Sequence, residues 1–265
     1  MGNEAIARGA IEAGVEVVAS YPGTPSSEIV ETLLDISTEL GFYAEWSVNE
    51  KVSFELVAGA ALTGVRSLAT LKGAGLNVVM DMFMTLPYTG TRGGLVLVVA
   101  DDPGAHYSSN EQDSRFAAQW AMIPCLEPES HQEAKEMTAY AFGLSERLEL
   151  PVVVRTASRL SHSSGVVELD RVGKSDLEPG FNKHWKTPLN SSPNLPRHTK
   201  TWADCSSSGT SPKRQPNVFR MPSGSMAARP SHMAAWPRRW LSWESRMRRR
   251  PLIKNFWTGR RSPEH

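Results

Sequence analysis

A chain of 265 residues is long enough for one large or two modest domains, and a hydrophobic content of 40% permits a packed core. Two cysteines far apart in sequence, Cys125 and Cys205, exclude a four-cysteine iron–sulfur centre within this chain, and no apolar run is long enough to span a bilayer. No signal peptide precedes Gly2, so a cytoplasmic protein without membrane association is expected, and the formal charge of +1 conceals a split: residues 1–190 carry 14 Lys/Arg against 25 Asp/Glu, whereas residues 191–265 carry 15 against 3.

In chain order, residues 15–19 (Val-Glu-Val-Val-Ala) read as a short strand. Pro22 and Gly23 permit a tight turn, and Thr24 and Pro25 supply an N-cap and a preset first residue for a helix running from Pro25 to about Leu40. Its first turn would offer free N–H groups and the positive end of a dipole to the carboxylate of a small acid; capping a surface helix is the plainer role. The pattern then repeats. Residues 41–45 are strand-like, and Asn49 can cap a helix reaching Leu62, with Glu50 in its first turn. A lone acid there ordinarily complements the dipole. The small apolar residues that follow, Val57 to Ala61, would let the helix pack closely and bury its N-terminus, where a carboxylate resists ionisation and becomes useful for proton chemistry.

A strand from Val65 to Leu71 leads into Lys72-Gly73-Ala74-Gly75-Leu76-Asn77, which opens another helix. The loop lacks the third glycine of a dinucleotide fingerprint and sits in the wrong unit for one, so close backbone approach is what its glycines provide. Met80, Met82, Phe83 and Met84 line a core or an adaptable pocket. Asp101 and Asp102 end the strand from Gly94 to Ala100; adjacent strand residues point to opposite faces, so they form no metal pair without a turn to converge them. His106 is a lone loop histidine. A helix over Gln132 to Leu148 and a strand over Leu150 to Thr156 complete an α/β, doubly wound, mainly parallel sheet that binds ligands beyond the carboxyl ends of its strands.

The motifs Gly2-Asn3-Glu4-Ala5-Ile6-Ala7-Arg8-Gly9-Ala10, Tyr21-Pro22-Gly23-Thr24-Pro25-Ser26-Ser27-Glu28, Glu45-Trp46-Ser47-Val48-Asn49-Glu50-Lys51, Met84-Thr85-Leu86-Pro87-Tyr88-Thr89-Gly90, Ala100-Asp101-Asp102-Pro103-Gly104 and Asn110-Glu111-Gln112-Asp113-Ser114-Arg115 occur in this order. Together they resemble the pyrimidine-binding domain that begins the large (alpha) subunit of indolepyruvate ferredoxin oxidoreductases, over Gly2 to about Ser163. The resemblance implies thiamine diphosphate chemistry, in which a glutamate at the position of Glu50 hydrogen-bonds the ring nitrogen N1′ and stabilises the imino tautomer that deprotonates C2. It makes the loop holding Gly75 and Asn77 a lining of the pyrimidine pocket, although relatives commonly carry histidine where Gly73 stands. It gives Thr24 and Pro25 the substrate end. Related pyruvate enzymes grip the substrate carboxylate with an arginine near Asp101; none stands there, so either Arg115 substitutes or the substrate differs.

The resemblance further implies oxidative decarboxylation of an aryl-2-oxo acid, with the acyl group passing to coenzyme A and electrons passing through [4Fe-4S] clusters to ferredoxin. This chain has no cluster ligands and lacks the diphosphate domain, whose Gly-Asp-Gly segment and downstream asparagine hold magnesium. It is therefore expected to need a diphosphate-domain and cluster-domain partner, or a missing C-terminal part, together with a beta subunit, and to have no turnover alone. Ala58 to Ala61 and Met80 to Met84 are expected to face that partner. The alternative function is the pyrimidine-domain subunit of a two-chain thiamine-dependent 2-oxo acid decarboxylase.

The organisation expected is a pyrimidine-binding domain over 1–160, a connector over 161–190 and a basic segment over 191–265. Six of the eight tryptophans lie from Trp185 onward, an unusual load for a disordered basic arm. With nothing family-like after the connector, a frame change or mis-joined segment is the expectation there, and a nucleic-acid-binding arm is the alternative. Little ordered structure is expected in either case.

Overall fold

Period-two alternation along the strands sends side chains to two separate cores on either side of one sheet. The computed structural model describes residues 1–175 and 177–180. Its elements are α1 (Gly2–Glu12), β1 (Val17–Ser20), α2 (Ser27–Leu40), β2 (Tyr43–Trp46), α3 (Glu50–Leu62), β3 (Ser67–Lys72), a 3-10 turn (Gly73–Asn77) and α4 (Met80–Thr89), then β4 (Leu95–Asp101), α5 (Ser114–Trp120), β5 (Cys125–Leu126), α6 (His131–Leu148), β6 (Val152–Ala157) and α7 (Ser158–His162). The strands form one sheet in the order β2-β1-β3-β4-β6-β5, parallel at every pairing. This is the doubly wound sheet that the alternation of strand and helix patterns predicts.

Leu68, Val96, Val98, Val152 and Val154 face α1, α2 and α6, whereas Ala69, Leu71, Leu95, Leu97, Val99 and Val153 face α3, α4 and α5. Helix α1 is buried nearly all round, and its close approach to α6 depends on Gly9, where a Cβ would fall 2.2 Å from the Lys135 carbonyl oxygen. Its buried face of alanine and glycine carries no large apolar stripe, which is why periodicity did not announce it. Chain order reverses between β1 and β3, because β2 lies on the outer side of β1. The crevice beyond their carboxyl ends is the switch point where such sheets take ligands.

The structure corrects two expectations. Ala58 and Ala61 do not face a partner; they are buried with Phe54 and Val57 in the core beneath α3. Among the described residues the N-terminus of α3 is open, with Val48 80% exposed and Glu50 half-buried, because the small residues that pack closely lie about two to three turns further on. Among the described residues no helix is long and apolar enough to cross a membrane. The basic segment over 191–265 lies outside the described residues.

Candidate functional site

Three loops meet at the switch point. The first follows β1, whose Ser20 hydroxyl donates to the Thr70 carbonyl at 2.6 Å and so ties β1 to β3 where the two strands end. Thr24 does not cap α2. The N-cap position falls on Ser26, and a turn closes behind Thr24 and Pro25: the Ser26 N–H and hydroxyl donate to the Gly23 carbonyl at 2.8 and 2.9 Å, and the Gly23 N–H donates to Ser27 Oγ at 2.8 Å. Pro25, joined to Thr24 by a cis peptide bond, is buried, and its carbonyl accepts from Asn3 Nδ2 at 2.7 Å. The corner is thus held ahead of the helix by α1, and Thr24 stands exposed on it.

The second loop leads into α3. Asn49 Oδ1 accepts from the Val52 N–H at 2.8 Å, the cap read from the sequence, and fixes Glu50 as the first residue of the helix. Glu50 lies against the third loop, the 3-10 turn after β3. A Cβ on Gly75 would come 3.1 Å from Glu50 Cγ and Oε1. Among the described residues the Glu50 carboxylate has no hydrogen-bond or ion-pair partner. Asn77, on the same turn, is exposed and donates to Gln112 Oε1 at 2.9 Å, while Gln112 Nε2 donates to the Gly73 carbonyl at 3.1 Å.

Gln112 belongs to the segment between β4 and α5, which two carboxylates hold. Asp101 Oδ2 accepts from the Ser114 N–H at 3.0 Å, from Ser114 Oγ at 2.9 Å and from Arg155 Nε at 2.8 Å. Its Oδ1 is buried without a partner and points at Gly73, where a Cβ would approach to 2.6 Å. Asp102 turns the other way. Burial opposes its ionisation, but hydrogen bonds from the Ser158 hydroxyl and the Tyr107 and Ser108 N–H groups hold its carboxyl below the usual range. The two aspartates therefore share no ligand, and among the described residues no group of three His, Cys, Asp or Glu could hold a metal.

Arg115 is exposed and faces carboxylates rather than the Thr24 corner: Nη2 lies 2.6 Å from Asp113 Oδ2 and Nη1 lies 3.4 Å from Glu127 Oε2. The hydrogen bond from Arg115 pulls Asp113 down to about 2. Arg155, buried between Asp101 and Glu127, had no place in the sequence expectation. A cation inside the apolar run Val152-Val153-Val154-Arg155-Thr156 was the available signal, because an arginine on a buried strand needs a carboxylate partner. The structure thus sets Glu50 of α3 against Gly75 on the turn that also carries Asn77, places Thr24 and Pro25 on another loop, and leaves Arg115 with Asp113 and Glu127. Two open clefts of about 500 and 460 Å³ beside α7 are lined by none of the first five.

A parallel doubly wound sheet with an unpartnered carboxylate beside its switch-point turn places the chain among the α/β proteins that bind ligands beyond their strand ends. The chain belongs to the family described as pyruvate flavodoxin/ferredoxin oxidoreductase, thiamine diP-binding, whose model matches residues 8–209. That match runs past residue 190, where the charge balance changes sign. The chain is 48% identical over 204 residues to the indolepyruvate oxidoreductase subunit IorA of Archaeoglobus fulgidus, covering 76% of this chain and 32% of that one. With the IorA subunit of Pyrococcus abyssi the identity is 52% over 183 residues, 69% of this chain and 28% of the relative. A solved 2-oxoglutarate:ferredoxin oxidoreductase from Magnetococcus marinus, with 2-oxoglutarate, coenzyme A and succinyl-CoA bound, shares the fold at a TM-score of 0.55 and 23% identity, over 60% of this chain and 29% of that one. The chain spans about 30% of the length of the curated relatives it matches.

Proposed function

We propose that this chain forms the pyrimidine-facing half of the active site of a thiamine diphosphate-dependent 2-oxo acid:ferredoxin oxidoreductase acting on an aryl-2-oxo acid of the indolepyruvate type. The observation that carries the reading is Glu50, a half-buried carboxylate in the first turn of an Asn49-capped helix, pressed against Gly75 and without a partner among the described residues. Such a residue fits the cofactor, because a free carboxylate is the acceptor that a protonated ring nitrogen requires, and the missing Cβ of Gly75 leaves that carboxylate room.

When bound, thiamine diphosphate supplies the electron sink for decarboxylation. Glu50 would hold a proton at N1′ by favouring the protonated ring once a partner domain covers the open start of α3. Gly75 and Asn77 line the same side, with Asn77 steadied by Gln112. The Thr24–Pro25 corner, anchored through Asn3, orients the substrate. Arg115 reaches a substrate only by leaving Asp113 and Glu127. Magnesium, the diphosphate, the [4Fe-4S] clusters and access for coenzyme A and ferredoxin come from a diphosphate domain, a cluster domain and a beta subunit supplied by partners or by further chain, in the cytoplasm.

The test is aryl-2-oxo acid oxidation by the assembled subunits, followed as coenzyme A-dependent reduction of ferredoxin. Glu50→Gln is expected to lower turnover by about 100-fold or more without changing thermal melting. Undiminished turnover in that variant removes the reading.

A further inference from the structure

Lys72 ends β3 and pairs in register with Ala100 of β4. It shares the strand phase of Leu68, which packs toward α2, so it projects on the side of the Thr24 corner and opposite to Leu71. Its stem lies along that corner: a Cβ on Gly23 would come 3.2 Å from both Cγ and Cδ of Lys72, and glycine is what lets the side chain pass. The residue is half-buried, and among the described residues its ammonium has no hydrogen bond and no carboxylate within ion-pair distance.

Several other cations among the described residues are matched. Lys135 meets Glu12 and Asp170, Lys51 faces Glu55 and Asp81, and Arg155 and Arg115 are held by Asp101, Asp113 and Glu127. Lys72 alone among these five stands partly desolvated at the mouth of the switch-point crevice without a counter-ion, an arrangement that costs free energy until an anion arrives. An ammonium is a compact charge with three donors, suited to a single small carboxylate.

We propose that Lys72, beside the Thr24 corner, receives the carboxylate of the 2-oxo acid substrate, a role for which Arg115, held by Asp113 and Glu127, does not stand ready. The assignment deepens the proposed function and rests on it. It makes the site selective for an anionic 2-oxo acid over the corresponding uncharged aldehyde, which presents the same aryl group and carbonyl but no carboxylate.

The experiment uses the assembled oxidoreductase containing the full 265-residue chain, with Lys72→Met, which keeps an apolar stem over Gly23, and Lys72→Arg. KM is measured for an arylpyruvate and for the matching arylacetaldehyde, with coenzyme A and a viologen acceptor, and binding of an unreactive arylpropionate is measured by calorimetry. Lys72→Met is expected to raise the ratio of the two KM values by about 10-fold or more, the loss of one hydrogen bond to a charged group, and to weaken arylpropionate by a similar factor. Lys72→Arg is expected to recover most of both. A ratio that stays at the wild-type value, whether the two KM values remain fixed or rise together, overturns the assignment while leaving the functional reading intact. A wild-type assembly that oxidises neither substrate overturns the functional reading and this assignment with it.

Discussion

Glu50 and Gly75 sit so close that a single added carbon on Gly75 would lie 3.1 Å from Glu50 Oε1. The neighbour that must yield is the far end of a flexible side chain, so Gly75→Ala is tolerated by the fold but moves the carboxylate by a few tenths of an ångström. Catalytic groups are sensitive to displacements of that order. The variant is expected to melt within about 1 kcal/mol of wild type, an ordinary surface-scale change, while the assembled enzyme loses turnover. Wild-type turnover in Gly75→Ala would show that the carboxylate does not need this turn as its backstop.

The cap on α3 is the second device that places Glu50. Asn49→Ala removes the acceptor for the Val52 N–H and is expected to cost about 1 kcal/mol. For a domain of this size that lowers the melting midpoint by about 2–4 °C. Asn49→Asp, which keeps an acceptor and adds favourable charge at the helix start, should melt near wild type; thermal unfolding of the three proteins decides it.

Position and type of Glu50 were legible because capping is a local rule: Asn49 precedes an acidic first turn and an apolar run, and nothing distant intervenes. The strands other than the two-residue β5 were legible for the same reason, since β3, β4 and β6 are apolar runs with turn residues at their ends. Thr24 was misread as a cap because Asn3, more than twenty residues earlier, holds the Pro25 carbonyl and lets the helix begin only after Ser26. The hold of Asp101 on Ser114 and Arg155 likewise joins residues 13 and 54 positions apart, beyond the reach of any period. What sequence pattern misses here is long-range polar anchoring.

A buried cluster between α1 and α6 offers a test of the fold itself. Glu12 sits between two almost fully buried cations, 2.7 Å from Arg8 Nε and 3.0 Å from Lys135 Nζ. Removing it takes away the buried carboxylate that the two cations share and leaves Lys135 with Asp170, whose side chain is largely exposed. Glu12→Ala is expected to cost about 3–5 kcal/mol and to lower the melting midpoint by about 10 °C. Asp170→Ala, losing only the exposed partner, should cost about 1 kcal/mol or less. Equal losses in the two variants would show that Glu12 is not the keystone of the cluster.

Glu31 gives the domain a pH dependence of unusual sign. Burial, reinforced by Glu28 and Asp35, pushes its carboxyl up from 4.5 to about 6. Between those values the folded chain binds more protons at this site than the unfolded chain, so the contribution of Glu31 to stability falls as pH rises from 4.5 through 6 and is constant above. A shift of that size corresponds to about 2 kcal/mol, and the half-exposed position reduces it to about 1 kcal/mol. Glu31→Gln, the neutral isostere, is therefore expected to melt about 2–4 °C above wild type at neutral pH. Below pH 4.5, where the glutamate is protonated in both states, the two proteins should converge. Melting curves across that range check the sign, and a gap independent of pH would mean that the gain comes from packing rather than from relief of a buried charge.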